Sequence, residues 1–158
     1  MKLYHGTNTD FFAIDLNKSQ RGKDFGRGFY LSESEAQAEE MANFKVQLFG
    51  GQPIVLCYEF DDAHLSDGTL RFMHFDGYTK DWATFILANR QNRSANNIHD
   101  YDVVYGPIAN DKVGAQIRNV IEQNINMDTF LERLKYLKGI TFQYFFGSEK
   151  SIQMLRHL

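Results

Sequence analysis

Two short segments near the N-terminus carry residue types that could bind a nucleotide. They are Leu3-Tyr4-His5-Gly6-Thr7 and Asp24-Phe25-Gly26-Arg27-Gly28-Phe29-Tyr30-Leu31-Ser32. His5 can form hydrogen bonds through either ring nitrogen, and Tyr30 offers an aromatic face for stacking. Glycine lets the main chain lie close to a ligand, which favours Gly6 and Gly28 as further contacts, together with Thr7 beside Gly6. Together the segments predict a cleft for a flat or phosphorylated ligand.

Each of these residues also has an ordinary structural explanation. His5 could be a structural histidine, and Tyr30, which alternates with apolar neighbours, fits a common sheet tyrosine. Arg27 could meet a pyrophosphate or could be solvated, because a glycine on each side of it is equally typical of a turn. No third glycine opens a helix here, so the segment is not a Rossmann fingerprint.

Two polar positions in the second half of the chain are further candidates. Gln143 lies in a strand that is otherwise largely aromatic. A buried amide costs about 1–3 kcal/mol unless it is paired, so Gln143 should either bond within the sheet or line a cleft. Asp111, in Asn110-Asp111-Lys112, is on local grounds best explained as the cap of the following helix.

Composition limits the class of protein. With 158 residues, 43% of them hydrophobic, the chain predicts one domain over residues 1–158. Lysine and arginine number 17 against 20 acidic residues, so the net charge of -3 gives no support to nucleic acid or an acidic membrane as partner. A single cysteine and scattered histidines predict no metal site. The chain begins with a strand pattern, without a leader or a membrane-spanning run, so we expect a cytoplasmic protein.

Strands and helices are predicted to alternate irregularly, which favours an α+β fold. The predicted strands are Leu3 to Thr7, the segment around Tyr30, Pro53 to Phe60, Leu70 to Phe75, Asp102 to Pro107 and Ile140 to Phe146. The predicted helices run from a capping box at Ser32 to Phe44, from Asp81 to Arg90, from Val113 to Asn124, from Asp128 to Lys138, and onward from a cap at Ser148. The strand from Pro53 is apolar on both faces and should be central in its sheet.

The order and spacing of these motifs resemble the ADP-ribosyltransferase superfamily, in a bacterial branch. The resemblance runs through both N-terminal segments, Asp102 to Lys112, and Gln143-Tyr144-Phe145-Phe146 with the Ser148-Glu149-Lys150 that follows. It implies a split, two-lobed β-sheet core with flanking helices that takes NAD as its substrate. In the superfamily's His-Tyr-Glu pattern, His5 would bond the adenosine ribose and Tyr30 would stack on nicotinamide. The third position, which holds the nicotinamide ribose, falls on Gln143.

Glutamine at this position supplies a dipole where the superfamily has a carboxylate. Either nicotinamide leaves readily enough without that charge, or a carboxylate such as Asp111 compensates, or catalysis has been lost. The resemblance implies an ADP-ribosyltransferase acting on an unidentified macromolecular acceptor, and suggests a toxin with an antitoxin protein as partner. The alternatives are a non-catalytic module that binds NAD or ADP-ribose, and an NAD glycohydrolase.

Overall fold

A computed structural model describes residues 1–158 and contains seven β-strands and five α-helices. The strands are β1 (Lys2–Thr7), β2 (Phe29–Leu31), β3 (Ile54–Glu59), β4 (Phe72–His74), β5 (Val103–Ile108), β6 (Thr141–Phe146) and β7 (Arg156–His157). The helices are α1 (Glu35–Phe49), α2 (Lys80–Gln91), α3 (Asp111–Ile121), α4 (Met127–Leu134) and α5 (Glu149–Ile152). No helix has the length and apolar character needed to cross a bilayer.

The strands form two separate sheets. The first has the order β1-β3-β7 and is antiparallel, with β3 in the predicted central position. The second has the order β2-β6-β5-β4 and is antiparallel except for the parallel pair β4 and β5. Tyr4 and Ser32 join the two sheets through a pair of backbone hydrogen bonds, each 2.8 Å long. The prediction of an α+β fold is therefore confirmed.

Two apolar clusters hold the layers together. One fills the space between the sheets and includes Leu3, Leu56, Phe29, Leu31 and Phe146. The other lies between the second sheet and helices α2, α3 and α4 and includes Trp82, Ile86, Phe130, Val104 and Phe145. Phe145 and Phe146 belong to different clusters because successive side chains of a strand point to opposite faces. The second sheet is consequently covered on both sides.

Helix α1 differs from its prediction at both ends. Its N-cap is Ser34, whose hydroxyl accepts a hydrogen bond from the backbone of Gln37, and not Ser32. Ser32 is instead occupied by the bridge to Tyr4. The helix continues past Phe44 to Phe49 because the chain offers no helix-breaking residue before Gly50, which has a φ of 77°.

Differences at other elements also have local reasons. Asn110, rather than Asp111, caps helix α3, and its side chain accepts a hydrogen bond from the backbone of Val113. Asp111 is the first helical residue, where an acidic side chain favours the positive end of the helix dipole. Strand β7 has no sequence signal because it is only two residues long and exists through pairing with β3.

Two glycines of the N-terminal segments allow close packing. A Cβ atom on Gly6 would lie 1.9 Å from the carbonyl oxygen of Ala38 in helix α1. A Cβ atom on Gly28 would lie 2.2 Å from the ring of Phe145. The atoms that lie nearest to these two glycines therefore belong to the protein itself. Glycine at these positions brings α1 and β6 close enough to form the walls of a cleft.

Candidate functional site

Two adjoining cavities lie beside strand β1, helix α1 and the segment that leads into β2. The first encloses about 320 Å³ and is lined by His5, Tyr30 and Gln143, among others. The second encloses about 420 Å³ and is lined by Phe11 and the residues around it. The two cavities share four lining residues, His5, Lys23, Gly28 and Lys45. The two cavities therefore adjoin at these residues, and we refer to them together as the cleft.

The register of the second sheet places Tyr30 and Gln143 on the same wall. Tyr30 pairs with Phe145, and Gln143 lies two residues from Phe145 on the same face of β6. The side-chain amide of Gln143 has no hydrogen-bond partner within the chain, and it lines the first cavity. Of the two alternatives for this amide, the structure therefore places it in a cleft.

Tyr30 is held rigidly by its hydroxyl group. The hydroxyl donates to the carbonyl oxygen of Gly26 at 2.7 Å and accepts from the backbone N–H of Phe25 at 3.0 Å. Burial raises the pKa of Tyr30 well above its usual value, so the phenol stays protonated and can donate. The Lys23 ammonium lies 5.2 Å from the centroid of the Tyr30 ring. The ring of Tyr30 is thus held in one orientation, with a cation near it.

The structure fixes the tautomer of His5. Its Nδ1 atom lies 2.7 Å from the carbonyl oxygen of Tyr30. A carbonyl oxygen only accepts hydrogen bonds, so Nδ1 carries the proton and Nε2 is left as an acceptor. Burial, reinforced by the charge of Lys45, lowers the pKa of His5 to about 3. His5 is therefore neutral at physiological pH and can accept a hydrogen bond from a hydroxyl group.

Positive charge concentrates at the wall that the two cavities share. The Lys45 ammonium donates to the carbonyl oxygen of Gly6 at 2.7 Å, and burial together with Lys23 lowers the pKa of Lys45 to about 8. Partial desolvation in the cleft also lowers the pKa of Lys23. Neither lysine forms an ion pair with a carboxylate. Two cationic side chains therefore line both cavities at this point.

One ion pair closes the far side of the first cavity. The side chain of Arg90 contacts a carboxylate oxygen of Asp24 at 2.6 Å, and the other oxygen accepts from the backbone N–H of Ala109 at 2.8 Å. Asp24 is only 7% exposed. Both oxygens of this carboxylate therefore bond within the protein, although Asp24 lines the cavity.

Three predicted site residues lie outside the first cavity. Arg27 donates to the carbonyl oxygens of Asn17, Ser19 and Ala95, each at 2.9 Å, and lines neither cavity. Its guanidinium joins the segment around Asn17 and Ser19 to the loop that contains Ala95, and a pyrophosphate contact of Arg27 stays a prediction. Thr7 lines the second cavity and donates to the carbonyl oxygen of Thr9.

Asp111 likewise lines neither cavity. It is an exposed residue in the first turn of helix α3. The hypothesis that its carboxylate compensates for Gln143 therefore has no geometric basis.

Sequence reasoning missed Lys23, Lys45 and Gln37. Lys45 had a signal, because it falls three residues after Ala42 and seven after Ala38, both of them buried on the inner face of α1. Ending the predicted helix at Phe44 concealed that a lysine lies on this face. Gln37 lines the first cavity, and its side-chain nitrogen is buried without a hydrogen-bond partner.

The model of one protein family matches residues 1–157, and its description is "Protein of unknown function (DUF3990)". Neither the curated proteins nor the solved structures contain a significant match to the chain. The family match spans both sheets and every residue of the cleft, so the cleft lies wholly within the matched region.

Proposed function

The chain belongs to the DUF3990 family, and we propose that it is an NAD-dependent ADP-ribosyltransferase. The observation that carries the proposal is the convergence of His5, Tyr30 and Gln143 on one cavity. These residues come from three strands in two sheets, and they are the ones to which the resemblance assigns the triad roles. The split between the sheets is the place where that resemblance implies NAD binding.

Each of the three residues offers a chemistry suited to NAD. The free Nε2 atom of His5 accepts a hydrogen bond from a ribose hydroxyl. The ring of Tyr30, fixed by two hydrogen bonds, stacks on the nicotinamide, whose positive charge adds a cation–π attraction. The unpaired amide of Gln143 accepts a hydrogen bond from a hydroxyl of the nicotinamide ribose. Binding in this way orients the bond that breaks.

In the proposed reaction, the bond between the nicotinamide nitrogen and the ribose carbon C1 breaks. The nitrogen keeps the bonding pair and nicotinamide leaves as a neutral molecule. The ribose develops positive charge, which the amide oxygen of Gln143 stabilises as a dipole. A nucleophile of the acceptor then bonds to C1 and loses its proton to water. Transfer to water in place of a macromolecule gives the glycohydrolase reaction, so the two activities differ only in the acceptor.

A non-catalytic module that binds NAD or ADP-ribose is the second candidate, and a specific observation favours it. The only carboxylate among the residues that line the first cavity is Asp24, whose oxygens are both bonded to the fold. No free negative charge is therefore positioned to stabilise a cationic transition state. The two candidates agree on the ligand and differ on whether the glycosidic bond breaks.

The test measures nicotinamide release from labelled NAD by the purified protein, with and without a cell lysate as a source of acceptors. We expect release and label on macromolecules. Gln143→Ala should slow release by one to two orders of magnitude, about 1.4–2.7 kcal/mol, with a smaller effect on NAD affinity. Gln143→Glu should maintain or raise the rate, and Gln52→Ala, at an exposed loop position, is the matched control.

The outcomes separate the candidates. Tight NAD binding without release in either the parent protein or Gln143→Glu would establish the binding module. Release without label on any macromolecule would establish the glycohydrolase. Absence of NAD binding would refute the transferase and the glycohydrolase, and absence of both NAD and ADP-ribose binding would refute the binding module.

A further inference from the structure

Two lysines without counter-ions lie where the two cavities meet. Lys23 and Lys45 are the only residues with a formal charge among the four that line both cavities, since His5 is neutral and Gly28 has no side chain. The two positive charges repel each other, and this repulsion does not stabilise the fold. An anionic ligand at this position would remove the repulsion.

The carboxylates nearby provide only part of this compensation. Asp24 is paired with Arg90 and with the backbone of Ala109. Asp15, in the second cavity, accepts a hydrogen bond from the backbone of Asn17 as a helix cap. Asp10 lines the second cavity but forms no ion pair with either lysine. Asp24 offsets part of the charge of Lys23, whereas no carboxylate acts on Lys45, so positive charge is left over for an anionic ligand.

The lysines also have donor capacity to spare. The ammonium of Lys45 uses one of its three N–H groups on the carbonyl oxygen of Gly6, which fixes its position and leaves two donors. Lys23 is exposed, and its ammonium lies near the ring of Tyr30 without donating a hydrogen bond. It can exchange that weak contact for a phosphate oxygen. Two such cations match an anion that carries at least two negative charges.

We infer that Lys23 and Lys45 form the subsite for the diphosphate of a dinucleotide whose two nucleosides occupy the adjoining cavities. The identity of the ligand rests on the proposed function. The position of the subsite rests on the cleft itself, because a dinucleotide places its negative charge between its two nucleosides. Arg27, the basic residue that the motifs point to, is bonded elsewhere.

The test is calorimetric titration of the purified protein with ADP, inorganic pyrophosphate and adenosine. We expect ADP and pyrophosphate to bind, with affinities that fall as salt rises. Lys45→Gln and Lys23→Gln should each weaken ADP binding about tenfold and leave adenosine binding unchanged. Lys45→Arg, which keeps the charge, should retain most of the affinity for ADP. Lys138→Gln removes the same charge outside both cavities and should have no effect.

The results distinguish this inference from the proposed function. If ADP binds equally well to the parent protein and to both glutamine variants, or if neither ADP nor pyrophosphate binds, the subsite is refuted, whatever NAD does. If ADP binding depends on both lysines but NAD is neither bound nor cleaved, the subsite stands and the proposed function fails. Thermal unfolding of each variant shows whether a loss of binding reflects a loss of folding. The salt dependence of the parent protein needs no variant.

Discussion

The two sides of the first cavity differ in whether their polar groups are paired within the chain. On the side formed by the segment from Asp24 to Tyr30, which we call the loop wall, the carboxylate of Asp24 and the hydroxyl of Tyr30 are both hydrogen-bonded within the chain. On the side formed by β1 and α1, which we call the helix wall, Lys45 lacks a counter-ion and Gln37 has an unpaired nitrogen. Buried polar groups are normally paired, so unpaired groups facing a cavity indicate a place for a ligand.

The comparison predicts that substitutions in the loop wall reduce stability, whereas substitutions in the helix wall reduce binding. The largest effect should come from Asp24→Ala, which leaves the guanidinium of Arg90 and the N–H of Ala109 without an acceptor. We expect a loss of about 3 kcal/mol in the free energy of unfolding. Urea denaturation measures it. Asp111→Ala, an exposed carboxylate in a helical first turn, should cost less than about 1 kcal/mol.

Tyr30→Phe should have the next largest effect on stability. It keeps the ring but leaves the N–H of Phe25 and the carbonyl oxygen of Gly26 without their partner. Each unsatisfied buried group is costly, so we expect a loss of about 1–3 kcal/mol in the free energy of unfolding. NAD affinity, measured by calorimetry below the unfolding temperature, should change little. An unchanged free energy of unfolding would mean that the hydroxyl does not fix the loop wall.

The features that sequence predicted well are those that depend on alternation and local signals. The aromatic alternation around Gln143 identified strand β6, and the apolar segment from Pro53 identified the central strand β3. Both patterns reflect burial, which is periodic in a strand. The order of strands within the two sheets has no local signal, because strands that pair, such as β2 and β6, are distant in sequence. The bridge between Tyr4 and Ser32, which joins the two sheets, likewise links distant segments.

Part of the candidate site was predicted from the same kind of strand pattern. His5, Tyr30 and Gln143 are polar residues at marked strand positions, and they line one cavity. The bonds of Arg27 to carbonyl oxygens of other loops were not foreseen, because a sequence does not reveal such acceptors. Lys45 was missed because it becomes significant only when helix α1 extends past Phe44.

The helix wall should respond to alkaline pH through Lys45. The pKa of Lys45 in the folded protein is lowered to about 8, so the side chain progressively loses its charge above that pH. NAD affinity should therefore weaken above pH 8, by at most about tenfold per pH unit. Lys45→Arg keeps its charge and should show a flatter profile, although Lys23, whose pKa is also lowered, leaves some dependence. Identical profiles for the two proteins between pH 7.5 and 9.5 would exclude Lys45 from the anion site.

The same lowered pKa predicts how Lys45 affects stability. Folding penalises the charged form, so the folded state gains stability relative to the unfolded state as pH rises from about 8 toward the ordinary lysine pKa. Lys45→Gln removes this penalty and should leave the free energy of unfolding at neutral pH unchanged or slightly higher. Urea denaturation at pH 7 measures the difference. A clear destabilisation would place Lys45 with the groups that hold the fold, and would break the contrast between the two walls.

The smallest expected effect concerns mild acid. The pKa of His5 is lowered to about 3 by burial and by Lys45, and both lysines remain protonated below pH 7. His5 therefore keeps its free Nε2 acceptor between pH 5 and 7, and NAD affinity should show no inflection near the ordinary histidine pKa. Stability should nevertheless fall as pH drops below about 6.5, because the unfolded chain takes up a proton on His5 that the folded chain excludes. Calorimetry and urea denaturation at matched pH values measure the two quantities separately. His5→Gln should reduce this acid sensitivity of stability and weaken NAD binding at every pH. The contrary result is an inflection in NAD affinity near pH 6.5 that disappears in His5→Gln, which would show that His5 titrates in the cleft.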